Sequence, residues 1–467
     1  MSQPYRFDHT HYCAPLIEQY AGLADGEESG AIVTVAGRVM LLRTQGKLAF
    51  GTMRDSTGEI QLFALSAVTG EFDEFIKLHL GDWVGVSGEV VRTKRGELSI
   101  KVASWQLLAH ALQNFGDKWA GINDPDTRYR HREADLWANP ESRTALQRRS
   151  ETLRSLRNQL HDAGCVEVET PILNAVPTGA AARPFRTHHN ALDAEFVLRI
   201  APELWLKRLV VGGFERVFEL GRVFRNEGIS PRHNPEFTGL ELYIAYFDYE
   251  DMMNLTEELI RQAALDVRGT TELEYQGQPL SLAGPWARRS MADLASEGVG
   301  EEVSVHTPRE HLVSLLARHD VVAHASWGPG RCLSELFEAT AEATLWAPTF
   351  VTEHPVEISP LARRHRRDPE LTERFELFCV GRELANGFSE LTDPVDQRER
   401  FEDQARLAAA GDDEAMGIDL DFIKALEWGL PPTAGLGIGV DRLVMLLADV
   451  PNIREIIAFP TLKPRFD

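Results

Sequence analysis

From Ala31 the chain alternates apolar and polar residues in short runs: Ile32 to Val39, Leu48 to Met53, Ile60 to Ala64, Trp83 to Val91 and Leu98 to Val102. Successive strand side chains point to opposite faces, so a period of two predicts about five antiparallel strands with one buried face. Gly-bearing turns separate several of the runs, at Thr44-Gln45-Gly46-Lys47, Ser56-Thr57-Gly58 and Lys94-Arg95-Gly96. Five short strands within residues 31–115 predict a small barrel of the OB type, a platform for single-stranded nucleic acid. An SH3-like barrel without that role is the alternative.

Residues 1–30 form a loop-rich lead-in, and residues 116–142 a polar linker. Beyond it Leu146, Leu153, Leu156 and Leu160 recur at helical spacing and stop at Gly164, which predicts an amphipathic helix. Further strands are expected at Phe196 to Ala201, Arg216 to Asn226, Phe237 to Tyr246, Arg374 to Val380 and Phe388 to Leu391, and helices over 251–269 and 308–345. Several strands follow one another without an intervening helix, so 143–467 reads as one α+β domain on an antiparallel sheet.

Composition narrows the class. A chain of 467 residues exceeds what one core organises, and 43% hydrophobic with 26% charged residues is ordinary for a folded protein. The start carries no secretory pattern and no apolar run is long enough to span a bilayer, which predicts a cytoplasmic protein. Cys13, Cys165, Cys332 and Cys379 stand apart, so free buried thiols are expected. A net charge of −22 excludes nonspecific coating of nucleic acid but leaves room for a local basic surface.

Candidate chemistry lies in three stretches. No P-loop pattern is present; Gly435-Leu436-Gly437-Ile438-Gly439-Val440-Asp441-Arg442 is compatible with a phosphate site or with a glycine-rich strand packed under a helix. Phe224-Arg225-Asn226-Glu227 precedes Arg232-His233-Asn234-Pro235-Glu236-Phe237, and strand parity puts Phe237, Glu241 and Tyr243 on one face with Leu240, Leu242 and Ile244 opposite. One face is core and the other a site, because carboxylates on a central strand are costly unless paired. Parity also groups Asn386, Phe388 and Glu390 but leaves Glu383 out of phase, requiring a bend for which Gly381 and Gly387 are available. Paired glutamates beside a phosphate-holding arginine suit magnesium, which takes one or two carboxylates plus nucleotide oxygens.

Gly164-Cys165-Val166-Glu167-Val168-Glu169-Thr170-Pro171, Phe224 to Glu227 and Gly435 to Arg442 resemble the three signature motifs of class II aminoacyl-tRNA synthetases. Ala182-Arg183-Pro184-Phe185, His188-His189-Asn190, Ala201-Pro202-Glu203-Leu204, Arg232 to Phe237 and Asn386-Gly387-Phe388-Ser389-Glu390-Leu391 resemble the lysyl branch. The likeness runs from about Val33 to the C-terminus.

The resemblance implies a homodimer that ligates L-lysine to tRNA(Lys) with ATP and Mg2+. Arg225 would hold the α-phosphate and Arg442 the γ-phosphate, with adenine stacked on Phe237 near Glu227, His233 and Asn234. Glu376 and Glu383 would carry magnesium. Lysine would sit against Gly179, Glu203, Glu241, Tyr243, Asn386, Phe388 and Glu390, and Arg43, Phe50, Gln61 and Glu97 match the barrel positions that read the anticodon. Trp205 stands where the family usually has tyrosine, Cys165 replaces a larger residue, residues 1–30 lack the frequent basic extension, and Arg130 to Leu136 departs from an RYxDL pattern. Competing readings are a paralogue lysylating a protein, an aspartyl or asparaginyl enzyme, and a catalytically silent RNA-binding protein on the same scaffold.

Overall fold

Alternating valines, leucines and alanines share one interior when the strands carrying them close on themselves. The computed structural model describes residues 4–113, 122–177, 179–180, 182–409 and 417–465, and the chain divides into two compact units, Met1–Pro140 and Glu141–Asp467. In the first unit, strands Glu28–Gln45, Leu48–Arg54, Glu59–Leu65, Trp83–Arg92 and Leu98–Ala109 form a closed barrel. Its interior holds Val33, Val35, Ala49, Met53, Ile60, Leu62, Val84, Val86 and Ile100, the apolar phase of the alternation. The first strand outruns its expected length: its first half pairs with Trp83–Arg92 and its second with Leu48–Arg54, with a bulge between Val39 and Leu41.

Segments read as connectors carry structure. Within the lead-in, helix Cys13–Gln19 buries Cys13 and Leu16 in the barrel core, and Asp55 accepts a 2.6 Å hydrogen bond from the Cys13 amide. Within the expected linker, residues 116–121 lie outside the described ones, while Pro125–Arg130 and Arg132–Ala138 are helical. One buried carboxylate orders them: Asp135 accepts from Arg128 at 2.8 Å, Arg132 at 2.6 Å and Asn139 at 2.6 Å. All four cysteines are free and buried.

The second unit is built on an eight-stranded sheet in the order Ala287–Ser290, Thr349–Thr352, Arg374–Cys379, Arg382–Ser389, Thr433–Gly439, Glu236–Ala245, Arg216–Phe224, Val166–Glu167. The two end pairs are parallel and every inner pairing is antiparallel. Leu240, Leu242, Ile244, Leu436 and Ile438 enter a core with the helices Pro140–Asp162, Tyr249–Arg268 and Val440–Ala448. That leaves the other face free for chemistry. The helical stretch expected at 308–345 is two α-helices, Arg309–Arg318 and Pro329–Thr340, because Gly328 and Pro329 start a new helix. These pack with Met291–Val299 around a separate core. No helix among the described residues is long and apolar enough to cross a membrane.

Candidate active site

Strand Thr433–Gly439 alternates glycine with apolar residues. Ala434, Leu436 and Ile438 face the core, so Gly435, Gly437 and Gly439 present bare backbone to the opposite face, where they line a cavity of about 660 Å³. The flanking strands put side chains beside this glycine floor. Glu241 and Asn386 each pair with Gly437, and Glu376 pairs with Asn386, giving one row across the sheet. In the next row Tyr243 and Phe388 flank Gly435. A β-carbon on Gly435 would stand 2.1 Å from Glu390 Oε1 and 2.6 Å from the Tyr243 ring, so only glycine leaves room for both.

The bend required by Glu383 is present, but not at a glycine. Leu377 pairs with Ala385 and Phe378 with Glu383, so Leu384 is an extra residue, and it and Ala385 are both buried. This bulge at Leu384 returns Glu383 to the cavity side. Gly381, with φ of 65°, makes the turn between the two strands instead.

Arginines hold the acids at one end of the cavity. Arg374 binds Glu376 at 2.5 Å and Asn386 at 3.0 Å, and Arg442 donates to the Glu383 backbone carbonyl at 2.8 Å and its carboxylate at 3.1 Å. Burial and the neighbouring Glu376 charge push the Glu383 carboxyl above its usual range, against the pull of Arg442, Arg225 and Arg374. Arg442 opens the helix Val440–Ala448, and Asp441 beside it is tied to Arg149 at 2.6 Å and to the Thr238 amide at 3.2 Å. The loop between strands Arg216–Phe224 and Glu236–Ala245 carries Arg225, Glu227, His233 and Asn234. The Arg225 guanidinium stands 5.3 Å from the Phe237 ring centroid, and its buried Nε has no hydrogen-bond partner among the described residues. Burial and Arg442 lower the His233 pKa, keeping the ring neutral beside that arginine.

The other end of the cavity is acidic. Glu241 accepts a 3.1 Å hydrogen bond from the Tyr243 hydroxyl. Burial, reinforced by Glu203, lifts the Glu241 carboxyl to about 8. Burial also raises the Tyr243 phenol well above its ordinary value, so it remains a donor to Glu241 with its lone pairs open. Gly179, with φ of 90°, packs against Ala201 and Glu203. Glu390 lies one layer beneath the lining residues, 1% exposed, against Gly435 and the Lys207 ammonium.

The structure thus gathers Gly179, Glu203, Arg225, Glu227, His233, Asn234, Phe237, Glu241, Tyr243, Glu376, Glu383, Asn386, Phe388 and Arg442 around one cavity, with Glu390 below its wall. Sequence reasoning missed Arg374, which the parity of Arg374-Phe375-Glu376 put on the same strand face as Glu376. It also missed Trp327, Arg331 and Glu357, which line the cavity from the segment containing the inserted helices and carry no local signal. Glu357 accepts from the Gly328 amide at 2.6 Å and the Arg331 amide at 3.1 Å, fixing that segment at the rim.

In the barrel, Phe50 and Gln61 occupy the outward phase of adjacent strands, and Arg43 pairs with Phe50. Phe50 is not a core residue: it is half-buried and stacks on Phe63, with centroids 5.1 Å apart and planes within 10°. Gln61 accepts from Ser99 at 2.8 Å, and Glu97 is exposed. The partner aromatic Phe63 was legible from strand parity but was not singled out.

Comparison with known proteins adds two family matches. The pattern described as tRNA synthetases class II (D, K and N) matches residues 124–463, and that of the OB-fold nucleic acid binding domain matches residues 33–108. The Lysine--tRNA ligase of Synechococcus sp. (strain RCC307) is 54% identical over 462 residues, 98% of this chain and 92% of its own. That of Synechococcus sp. (strain CC9605) is 53% identical over 465 residues, covering 98% and 93%, and that of Nostoc punctiforme (strain ATCC 29133 / PCC 73102) is 51% identical over 471 residues, covering 98% and 84%.

Proposed function

The chain belongs to the lysyl branch of the class II tRNA synthetases, and from that premise we propose that it joins L-lysine to tRNA(Lys) through a lysyl-adenylate formed from ATP. The observation that carries the proposal is the polarity of one cavity: arginines and a phenylalanine at one end, Glu203 and Glu241 backed by the buried Glu390 at the other, on a floor without side chains.

The chemistry asks for little acid or base. The carboxylate of lysine is ionised at neutral pH, so it attacks the α-phosphorus directly; a carboxylate–phosphorus bond forms as the bond to pyrophosphate breaks. Arg225 and Arg442 supply alignment and neutralise phosphate charge. Glu376 and Glu383 fit magnesium: they are two acids on adjacent strands, with Glu383 raised by burial and by Glu376, an arrangement a divalent cation relieves. When bound, the metal would add further charge neutralisation at the triphosphate. At the acidic end, Glu241 and the Tyr243 hydroxyl receive an ammonium, whereas an aspartate side chain would need a cation there. The lysyl group then passes from the adenylate to the terminal hydroxyl of the tRNA, releasing AMP.

A cytoplasmic setting and a homodimer complete the proposal. The dimer is supported by the short edge strand Val166–Glu167 in the first signature motif, beside which Val166, Ile172, Leu173 and Phe214 are all more than 40% exposed.

Pyrophosphate exchange with each amino acid in turn tests the reading. Exchange with lysine alone supports it; exchange with aspartate or asparagine, or with none, overturns it. Charging of tRNA bearing a lysine anticodon then decides between an RNA and a protein acceptor. In the same assay Phe50→Ala should weaken tRNA binding by about 1–3 kcal/mol, the worth of one stacked base, and leave lysine-dependent exchange intact.

The lysine site should also titrate. With its carboxyl at about 8, Glu241 holds a proton at neutral pH in the empty pocket, and an incoming ammonium favours the ionised form. Binding therefore releases a proton, and the KM for lysine should fall as pH rises towards about 8 and level off above it. A lysine KM flat between pH 6 and 8 would contradict this.

A further inference from the structure

Behind the acidic end of the cavity lies a cation that belongs to the protein. Lys207 is fully buried on helix Glu203–Val211, one turn beyond Glu203, whose carboxylate it binds at 2.5 Å. Its ammonium also ion-pairs with Glu390 Oε2. Three rings surround it, with centroids 5.4 Å away for Phe388, 5.8 Å for Phe422 and 6.0 Å for Tyr243. Lys207 does not itself line the cavity, so it braces the wall and leaves the pocket open. The other Glu390 oxygen, Oε1, has no hydrogen-bond partner among the described residues and lies beside Gly435 and the Tyr243 ring.

A buried ammonium is costly unless its partners are placed to repay the lost hydration. A helix needs no lysine at this position, and leucine or methionine would fill the space. Charge supplies the reason for it. Once an incoming ammonium has ionised Glu241, the carboxylates of Glu203, Glu241 and Glu390 bring three negative charges, and Lys207 leaves an excess of two. Free lysine near neutral pH carries two ammonium groups.

Resting on the lysine reading above, we propose that Lys207 is a positioning and specificity residue: a fixed internal ammonium that holds Glu203 and Glu390 and trims the acid excess to match the two ammonium groups of one free lysine. The groups facing it are Glu203 on its own helix, Glu390 at the end of strand Arg382–Ser389, and Glu241 with Tyr243 from strand Glu236–Ala245, where Arg225 also acts on Glu241. Burial opposes the Lys207 charge, but Glu203 and Glu390 hold its pKa above the ordinary value, so it stays charged in the empty pocket. Burial raises Glu390, and Lys207 draws it back towards ionisation.

Lys207→Met keeps the volume and removes the charge; Lys207→Gln removes the charge but keeps a donor for Glu390, and serves if the methionine variant does not fold. Both are compared with the unaltered protein in lysine-dependent pyrophosphate exchange across pH. The KM for lysine at neutral pH should rise about tenfold or more, and the pH at which it levels off should move up by about one unit, since each unit is a factor of ten in ionisation. The KM for ATP should stay within about twofold, because the change lies at the far end of the cavity. A folded variant with unchanged lysine KM and unchanged pH profile overturns the proposal, since a packing role alone would not move that profile. Absence of lysine-dependent exchange in the unaltered protein would instead overturn the parent reading.

Discussion

Replacing Arg225 with alanine should lower lysine-dependent pyrophosphate exchange by about 10³-fold, the scale expected when a charge-stabilising donor is removed from a phosphoryl-transfer site. The guanidinium stands over Phe237, and the loop holding it is tied back by the Arg225 amide bonding to Pro235 and the Asn226 amide to Arg183. Among the described residues its Nε has no hydrogen-bond partner, so this donor is not consumed by a structural bond. Thermal stability should change little for the same reason. Arg225→Lys should recover only a small part of the activity, because an ammonium cannot present a planar fork to phosphate oxygens. Exchange above about a tenth of the original rate in Arg225→Ala would mean that the α-phosphate is held elsewhere.

Glu241→Gln should be nearly as damaging, and on a different axis. The amide fills the same space but offers no charge to an ammonium that has lost its water. A hydrogen bond to a charged group is worth about 3 kcal/mol at its upper range, so the KM for lysine should rise roughly a hundredfold. The ATP KM should hold, and the fall of lysine KM with rising pH should vanish with the carboxyl that causes it. Retention of that pH dependence would assign it to another group. Together the two variants should separate the ends of the cavity: one is expected to lose chemistry on the phosphate, the other its grip on the amine.

The fold was legible where the chain's period matched its surroundings. Five alternating runs gave the barrel because a closed sheet has one inside, and each valine or leucine on the inward phase reports it. Strand Glu236–Ala245 was equally open to parity, since Leu240, Leu242 and Ile244 sit against helices while Glu241 and Tyr243 do not. The strand Arg382–Ser389 was harder. Parity correctly demanded a bend for Glu383 but pointed to glycines, while the protein makes it with a bulge at Leu384, a residue that looks like any core leucine. A bulge depends on what the partner strand offers, and here Phe378 pairs with Glu383, two positions back from the Ala385 that meets Leu377.

Sequence by itself determined the barrel, the α+β character of the chain, the facing of the central strand and the residues that mark the family, because these follow from local periodicity and from contiguous motifs. Only the tertiary structure decided that Glu203, Glu241, Glu376 and Arg442 border one cavity, that Trp327 and Arg331 reach its rim, and that Lys207 lies beneath the acids. In the sequence Lys207 is an ordinary helix lysine followed by an arginine. Its meaning comes from burial beside acids brought together from distant stretches of the chain, and the electrostatic cost of a buried charge is set by its neighbours in space.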